Sequence, residues 1–388
     1  MLAFMERIGM TAGNSAIERD QRERGGKILL LQCALVLCLL ALITVSFPFS
    51  QRYTGGWVVF VFVVTIATVL VFRSVITKAE TSVLVVIGAG ALYAYFVSQR
   101  GALDLPLSLA FGLLGFSVAV VSHHSRWPRW LLMVLGYLAL VPFLYGFAVK
   151  GINLGRGGEF FGMNRNTIPR LLFMTTSLVL VIQYQSAYRL DLLLTAMVVA
   201  ISFLSRSRAG LLVSSGLFVM TLIEEYLRFK IETWVRRHRV LVTVILVISV
   251  ILLVMVGLSL FEHSRLKTEG LDSNGRAEIH LRFLKELTVK RILFGFRPEI
   301  LNGIGLHSSY YTALAMFGCF SAILFFALLK TGWIYSQHGL FPLGVLMLWA
   351  VYSVVESLSP FAEGDVLVVV LMLGAFERAK PKDTLGCD

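Results

Sequence analysis

Runs of about 20 apolar residues recur along the whole chain. They constrain the fold most, because a bilayer core about 30 Å thick is crossed by a helix of that length. Candidate spans lie near 28–48, 57–72, 82–98, 103–121, 130–149, 168–184, 190–204, 209–223, 240–260, 307–329, 340–356 and 364–377. Inside a bilayer the backbone must satisfy its own hydrogen bonds, which leaves helices or closed barrels. The runs have helix length. The chain therefore reads as all-α: a polytopic integral membrane protein of about twelve transmembrane helices, with one helical outer segment between spans nine and ten. Composition agrees. Of 388 residues, 57% are hydrophobic and 15% charged, where a soluble domain carries roughly 25% charged residues. A disordered chain, a coiled coil and an ordinary cytosolic enzyme are excluded.

The net charge of +12 would suggest nucleic acid in a soluble chain. Here the basic residues flank spans, as they do on the cytoplasmic side of a membrane. Arg7, Arg19, Arg22, Arg24 and Lys27 precede span one, and Arg73 and Lys78 follow span two. Arg126 and Arg129 follow span four, Arg228, Lys230, Arg236, Arg237 and Arg239 follow span eight, and Arg378, Lys380 and Lys382 follow span twelve. All fall on one side, so both termini are expected in the cytoplasm. The domains are then a cytoplasmic N-terminal tail 1–27, spans one to nine over 28–260, an outer segment 261–306, spans ten to twelve over 307–377, and a cytoplasmic C-terminal tail 378–388. The N-terminal segment is too long and too acidic for the start of a signal peptide. Cys33, Cys38, Cys319 and Cys387 show no CxxC or Cys/His spacing, so neither a metal site nor a disulfide framework is expected.

The informative charges lie on the opposite side. Lys150, Arg156, Arg165 and Arg170 fall between spans five and six, Arg206 and Arg208 between spans seven and eight, and eight more in 261–306. Orientation does not need them. Leu192 to Ser205 is only 14 residues, about 21 Å of helix. The Ser205-Arg206-Ser207-Arg208 turn is thus expected below the outer headgroup plane. Arginines there either snorkel to lipid phosphates or hold an anionic ligand in a cavity. No acid occurs between Asp191 and Glu224.

A second group is Gly155-Arg156-Gly157-Gly158-Glu159-Phe160-Phe161-Gly162-Met163-Asn164-Arg165-Asn166. It is either a plain glycine-rich loop or one in which the Arg156 fork takes a phosphate. In the outer segment, Ser273-Asn274-Gly275 reads as a turn opening a helix near Arg276. Arg276, Ile279, Phe283 and Leu287 share one stripe of that helix. Glu278, Arg282 and Lys285 form the opposite, solvated one. His307 stands at the outer mouth of span ten, structural or a general base. His123, His124 and His238 read as residues of cytoplasmic loops. Arginines, one histidine and no D-x-D motif suggest that arginine rather than a metal clamps a leaving diphosphate.

Taken in order, Gly155-Arg156-x-Gly-Glu159-Phe-Phe-Gly162-x-Asn164-x-Asn166, Ser207-Arg208-Ala209-Gly210, Ser273-Asn-Gly275-Arg276, Leu293-Phe-Gly295 and Gly305-Leu306-His307-Ser308 resemble the O-antigen ligase and O-antigen polymerase superfamily over roughly residues 110–360. Arg165 stands where the family often has proline, and Ser308 where many members have asparagine. The resemblance implies an inverting, metal-independent glycosyltransferase without a cofactor in the bacterial inner membrane. Its donor would be a glycan on undecaprenyl diphosphate, taken at the periplasmic leaflet. A ligase delivers the glycan to lipid A-core, and a polymerase extends another lipid-linked chain. By resemblance Arg208 and Arg276 bind the diphosphate, Arg206 and Arg156 support them, and His307 acts on the acceptor hydroxyl. A flippase of lipid-linked oligosaccharide is the expectation from another class, ranked lower because no internal repeat is visible.

Overall fold

The computed structural model describes residues 25–43, 53–97, 105–150, 166–205, 207–237, 276–296, 308–356, 358, 362 and 364–378. Among these the chain is helical, with no strand. We number the helices α1 (Gly25–Ile43), α2 (Thr54–Phe72), α3 (Lys78–Val97), α4 (Leu105–His124), α5 (Arg129–Lys150), α6 (Thr167–Gln185), α7 (Leu192–Leu204), α8 (Arg208–Arg237), α9 (Arg276–Lys285), α10 (Val289–Phe294), α11 (Ser309–Phe317), α12 (Ser321–His338), α13 (Leu340–Val355) and α14 (Gly364–Arg378). Among the described residues, α1 to α6 and the α11–α12 unit are long and apolar enough to cross a membrane, and α7, α13 and α14 contain shorter apolar helices. The protein is an all-α polytopic membrane protein. Each expected span coincides with one of these helices except the ninth, 240–260, which lies outside the described residues, as do most of both tails.

α4 and α6 form the centre. They are apolar around their whole circumference, the pattern of a helix enclosed by others. Phe116, Val118, Ala119, Val120 and Val121 of α4 and Phe173, Val179, Leu180, Val181 and Ile182 of α6 are fully buried. α3 and α12 lie outermost, with Val85, Val86, Phe96, Ile323 and Phe326 facing outward.

Polar contacts tie the helix ends into two groups. At one end, Gln32 of α1 donates to Ser125 Oγ and to the Arg126 carbonyl, both at 3.2 Å. Tyr188 donates to the Trp127 carbonyl at 2.9 Å, beneath the Arg126 guanidinium. Tyr137 donates to Asp191, which also caps α7 through the Leu194 amide. Glu225 of α8 accepts from the Leu190 amide at 2.6 Å. Arg378 lies over the Tyr184 ring and donates to the His338 carbonyl. The ends of α4, α6, α12 and α14 thus meet the starts of α3, α5, α7 and α13, as alternate crossings require. This end carries Arg73, Lys78, Arg126, Arg129, Arg189 and Arg378.

Three boundaries differ from expectation. The eighth span was expected to stop at 223, yet α8 runs on to Arg237. Charge does not end a helix, and Glu224 to Arg237 contains neither Gly nor Pro. The tenth span was expected over 307–329, yet helix runs from Ser309 to His338, interrupted by a 3₁₀ turn at Gly318–Phe320. Lys330 is accommodated because its ammonium lies 5.5 Å from the Phe376 ring centroid. His123 and His124 belong to the last turn of α4 rather than to a loop. Both bind Glu80, His123 through Nδ1 at 3.3 Å and His124 through Nε2 at 3.1 Å. Glu80 is 1% exposed and closes a reciprocal cap with Thr77 at the start of α3.

Candidate functional site

The opposite end gathers the starts of α6, α8, α11 and α14 and the ends of α7 and α13. Ser207 caps α8: its hydroxyl accepts from the Gly210 amide at 3.3 Å and its carbonyl from the Leu211 amide at 2.9 Å. Ser205 and Ser207 are buried, Ser205 donating to the Ser202 carbonyl and Ser202 bonding Ser214 across α7 and α8. Arg208 is the first residue of α8 and is exposed. Gly210 abuts the Pro169 ring in the first turn of α6, and a side chain there would overlap it. Arg170 follows Pro169 in that turn and is half-buried. Two arginines therefore flank in sequence the contact that joins two helix starts.

A cation at a helix N-terminus is opposed by the helix dipole, whereas an anion there is favoured. Neither arginine is explained by helix stability. Two guanidinium groups at the positive ends of two helices form an environment suited to an anion. The lack of an acid in the sequence around Arg208 does not leave it without a contact in the fold.

The start of α11 is fastened to the end of α13. Ser309 donates to the Glu356 carbonyl at 3.2 Å and accepts from the Leu358 amide at 2.8 Å. Ser308 makes a weak bond to the Ser353 carbonyl at 3.5 Å, and Tyr310 donates to the Ala350 carbonyl at 2.9 Å. Ser308, Ser309 and Glu356 are all buried. Phe173 of α6 packs edge-on against Tyr352 of α13, with ring centroids 5.7 Å apart. The α6–α8 pair and the α11–α13 pair thereby belong to one cluster of helix ends.

α9 joins this cluster through α11. Ile279 and Phe283 are buried against Ala315, with Leu287, Phe296, Tyr311 and Leu314 around them. Arg282 and Lys285 are exposed. The expected split between an apolar and a charged stripe is present at these positions. α9 is helical from Arg276, where the described residues resume, and the expected Ser273-Asn274-Gly275 turn lies outside them.

Of the residues expected from sequence, Arg208 is described in full. Arg276 is described as the first helical position of α9, its side chain lying outside the description. His307, Arg206 and Arg156 lie outside the described residues. Sequence reasoning named Arg170 among the outer-face charges but gave it no place beside Arg208, although its position directly after a helix-initiating Pro169 was a usable signal. It also missed the Ser309–Glu356 latch, which no local pattern announces. Among the described residues no group of His, Cys, Asp and Glu is arranged to hold a metal ion. Comparison of the chain with protein-family models finds no match, and comparison with curated proteins finds none either.

Proposed function

We propose that the chain is a glycosyltransferase of the bacterial inner membrane, an O-antigen ligase that moves a glycan from undecaprenyl diphosphate to lipid A-core at the periplasmic leaflet. Under the positive-inside rule the basic end of the bundle is cytoplasmic, and the end carrying Arg170 and Arg208 faces the periplasm. The observation that carries the reading is the pair of arginines at two abutting helix starts, an anion-favouring arrangement at the end of a membrane bundle.

In this reading Arg208 and Arg276 hold the diphosphate, with Arg170, Arg206 and Arg156 in support. The acceptor hydroxyl attacks the anomeric carbon from the face opposite the diphosphate. Its proton passes to His307, and the bond to the diphosphate oxygen breaks with both electrons leaving on that oxygen. Configuration inverts, and the guanidinium groups stabilise the charge that develops. His307 directly precedes Ser308, whose hydroxyl donates weakly to the Ser353 carbonyl of α13 and whose carbonyl accepts from the Thr312 hydroxyl of α11. Extension of a lipid-linked repeat would use the same chemistry with another acceptor.

A lipopolysaccharide gel from a strain lacking the gene tests this. Lipid A-core without O-chain, with polymer accumulating on the lipid carrier and the ladder restored by the wild-type gene, is the expected result. Lipid A-core capped by a single repeat would instead identify a polymerase, and an unchanged ladder would exclude both.

A further inference from the structure

α10 is a six-residue helix with four apolar side chains, none of them buried. Val289 is 76% and Phe294 56% exposed, and Ile292 and Leu293 are exposed as well. An exposed patch of this density marks an interaction surface. Three contacts fix where it sits. Tyr93 of α3 donates to the Phe294 carbonyl at 2.9 Å. The Phe296 amide donates to the Ala315 carbonyl at 2.7 Å. The Cys319 thiol donates to the Leu293 carbonyl at 3.1 Å.

Gly295 (φ +75°) and Gly318 (φ +56°) let the two backbones meet. A Cβ at 318 would stand 2.6 Å from the Leu293 carbonyl oxygen. α10 is thus clamped onto the break between α11 and α12. Tyr93 lies four residues before the end of α3, about 6 Å of helix, and also packs on Phe317 and Phe320. On either side the outward faces continue with Leu92 and Phe96 of α3, Phe320 of the 3₁₀ turn and Ile323 of α12, all exposed. In a membrane-embedded bundle those faces meet lipid. The polar rim is basic: Lys285 and Lys290 are exposed, whereas Glu286 is half-buried and pairs with Arg291 at 3.6 Å.

We infer that α9 and α10 form an interfacial wedge. Val289, Ile292, Leu293 and Phe294 enter the hydrocarbon of the adjacent leaflet, and Lys285 and Lys290 contact the phosphates of its anionic lipids. The occupant of the apolar face is the bilayer itself, because the face continues the lipid-facing surface of α3 and α12 and its rim complements anionic headgroups. The inference does not depend on the transferase reading.

The test uses the full chain with its four cysteines replaced by serine. Single spin labels are placed at Val289→Cys, Ile292→Cys, Lys285→Cys and Lys290→Cys. The protein is reconstituted in nanodiscs of phosphatidylethanolamine and phosphatidylglycerol. Labels at 289 and 292 should collide several-fold more with oxygen than with a water-soluble nickel chelate, and labels at 285 and 290 should show the reverse. Water-like accessibility at 289 and 292 would overturn insertion, and shielding from both reagents would mean that protein covers the face. Replacing phosphatidylglycerol by phosphatidylcholine should lower the oxygen accessibility of the labels at 289 and 292, where Lys285 and Lys290 are both intact. No change there would overturn the phosphate contacts.

Discussion

Arg170 and Arg208 occupy the positions where a helix least favours a cation, and the proposed function gives them a diphosphate to hold. A charge-assisted hydrogen bond contributes about 1.5–3 kcal/mol, so Arg208→Ala should lower transfer roughly 10- to 150-fold. Arg208→Lys keeps the charge but loses the two-donor fork, and should recover only part of that rate. Steady-state transfer with a lipid-linked donor measures both. His307→Ala should cost about 10²–10⁴-fold if the imidazole takes the acceptor proton. A base works only when unprotonated, so the rate should fall as pH drops below the ordinary histidine range near 6.5. A flat profile from about pH 5 to 8 would leave His307 an orienting role only. Arg208 could be singled out in sequence because a charge at a span boundary is unusual in itself, whereas His307 lies outside the described residues. Arg170 was singled out in sequence only as one of several outer-face charges, because nothing local ties it to the start of α8.

At the scale of elements, two attachments should decide whether the outer segment is held. Phe283 is the buried anchor of α9, stacked on Phe296 at 5.5 Å and tilted against Tyr311 at 5.1 Å. Phe283→Ala should cost about 3–5 kcal/mol locally. The 276–296 segment should then become sensitive to protease, and transfer should fall although no arginine is changed. Gly318→Ala meets both the left-handed backbone and the Leu293 carbonyl. It should release α10 and lower thermal stability in detergent.

The positions of the spans were legible because apolar runs of helix length admit few alternatives. Two helix ends were not. Neither the acids after Ile223 nor Lys330 interrupts backbone hydrogen bonding, and only Gly318 does so by its conformation. The α10 clamp was also illegible, since Leu293-Phe294-Gly295 acquires its role from residues far away in the chain. The same holds for Glu80, whose partners lie 43 and 44 residues on. Glu80 is buried and holds both histidines and the Thr77 amide, so Glu80→Ala should loosen α3 from α4 and lower the melting temperature.

For the whole molecule, the proposed orientation puts the basic end in the cytoplasm and the end rich in helix starts in the periplasm. Single cysteines in a cysteine-free background should report it in intact cells. A label at residue 74 or 187 should be blocked from an impermeant maleimide, and one at 206 or 362 should react. The reverse pattern would put the arginines in the cytoplasm, away from a periplasmic acceptor. The most direct measurement is transfer by the purified protein, reconstituted with an undecaprenyl-diphosphate-linked glycan and lipid A-core, in the presence of a chelator. The account predicts glycan on lipid A-core with inverted anomeric configuration, lost in Arg208→Ala and His307→Ala and insensitive to the chelator. A wild-type protein that moves the intact lipid-linked glycan between leaflets, while forming no new glycosidic bond, would contradict it.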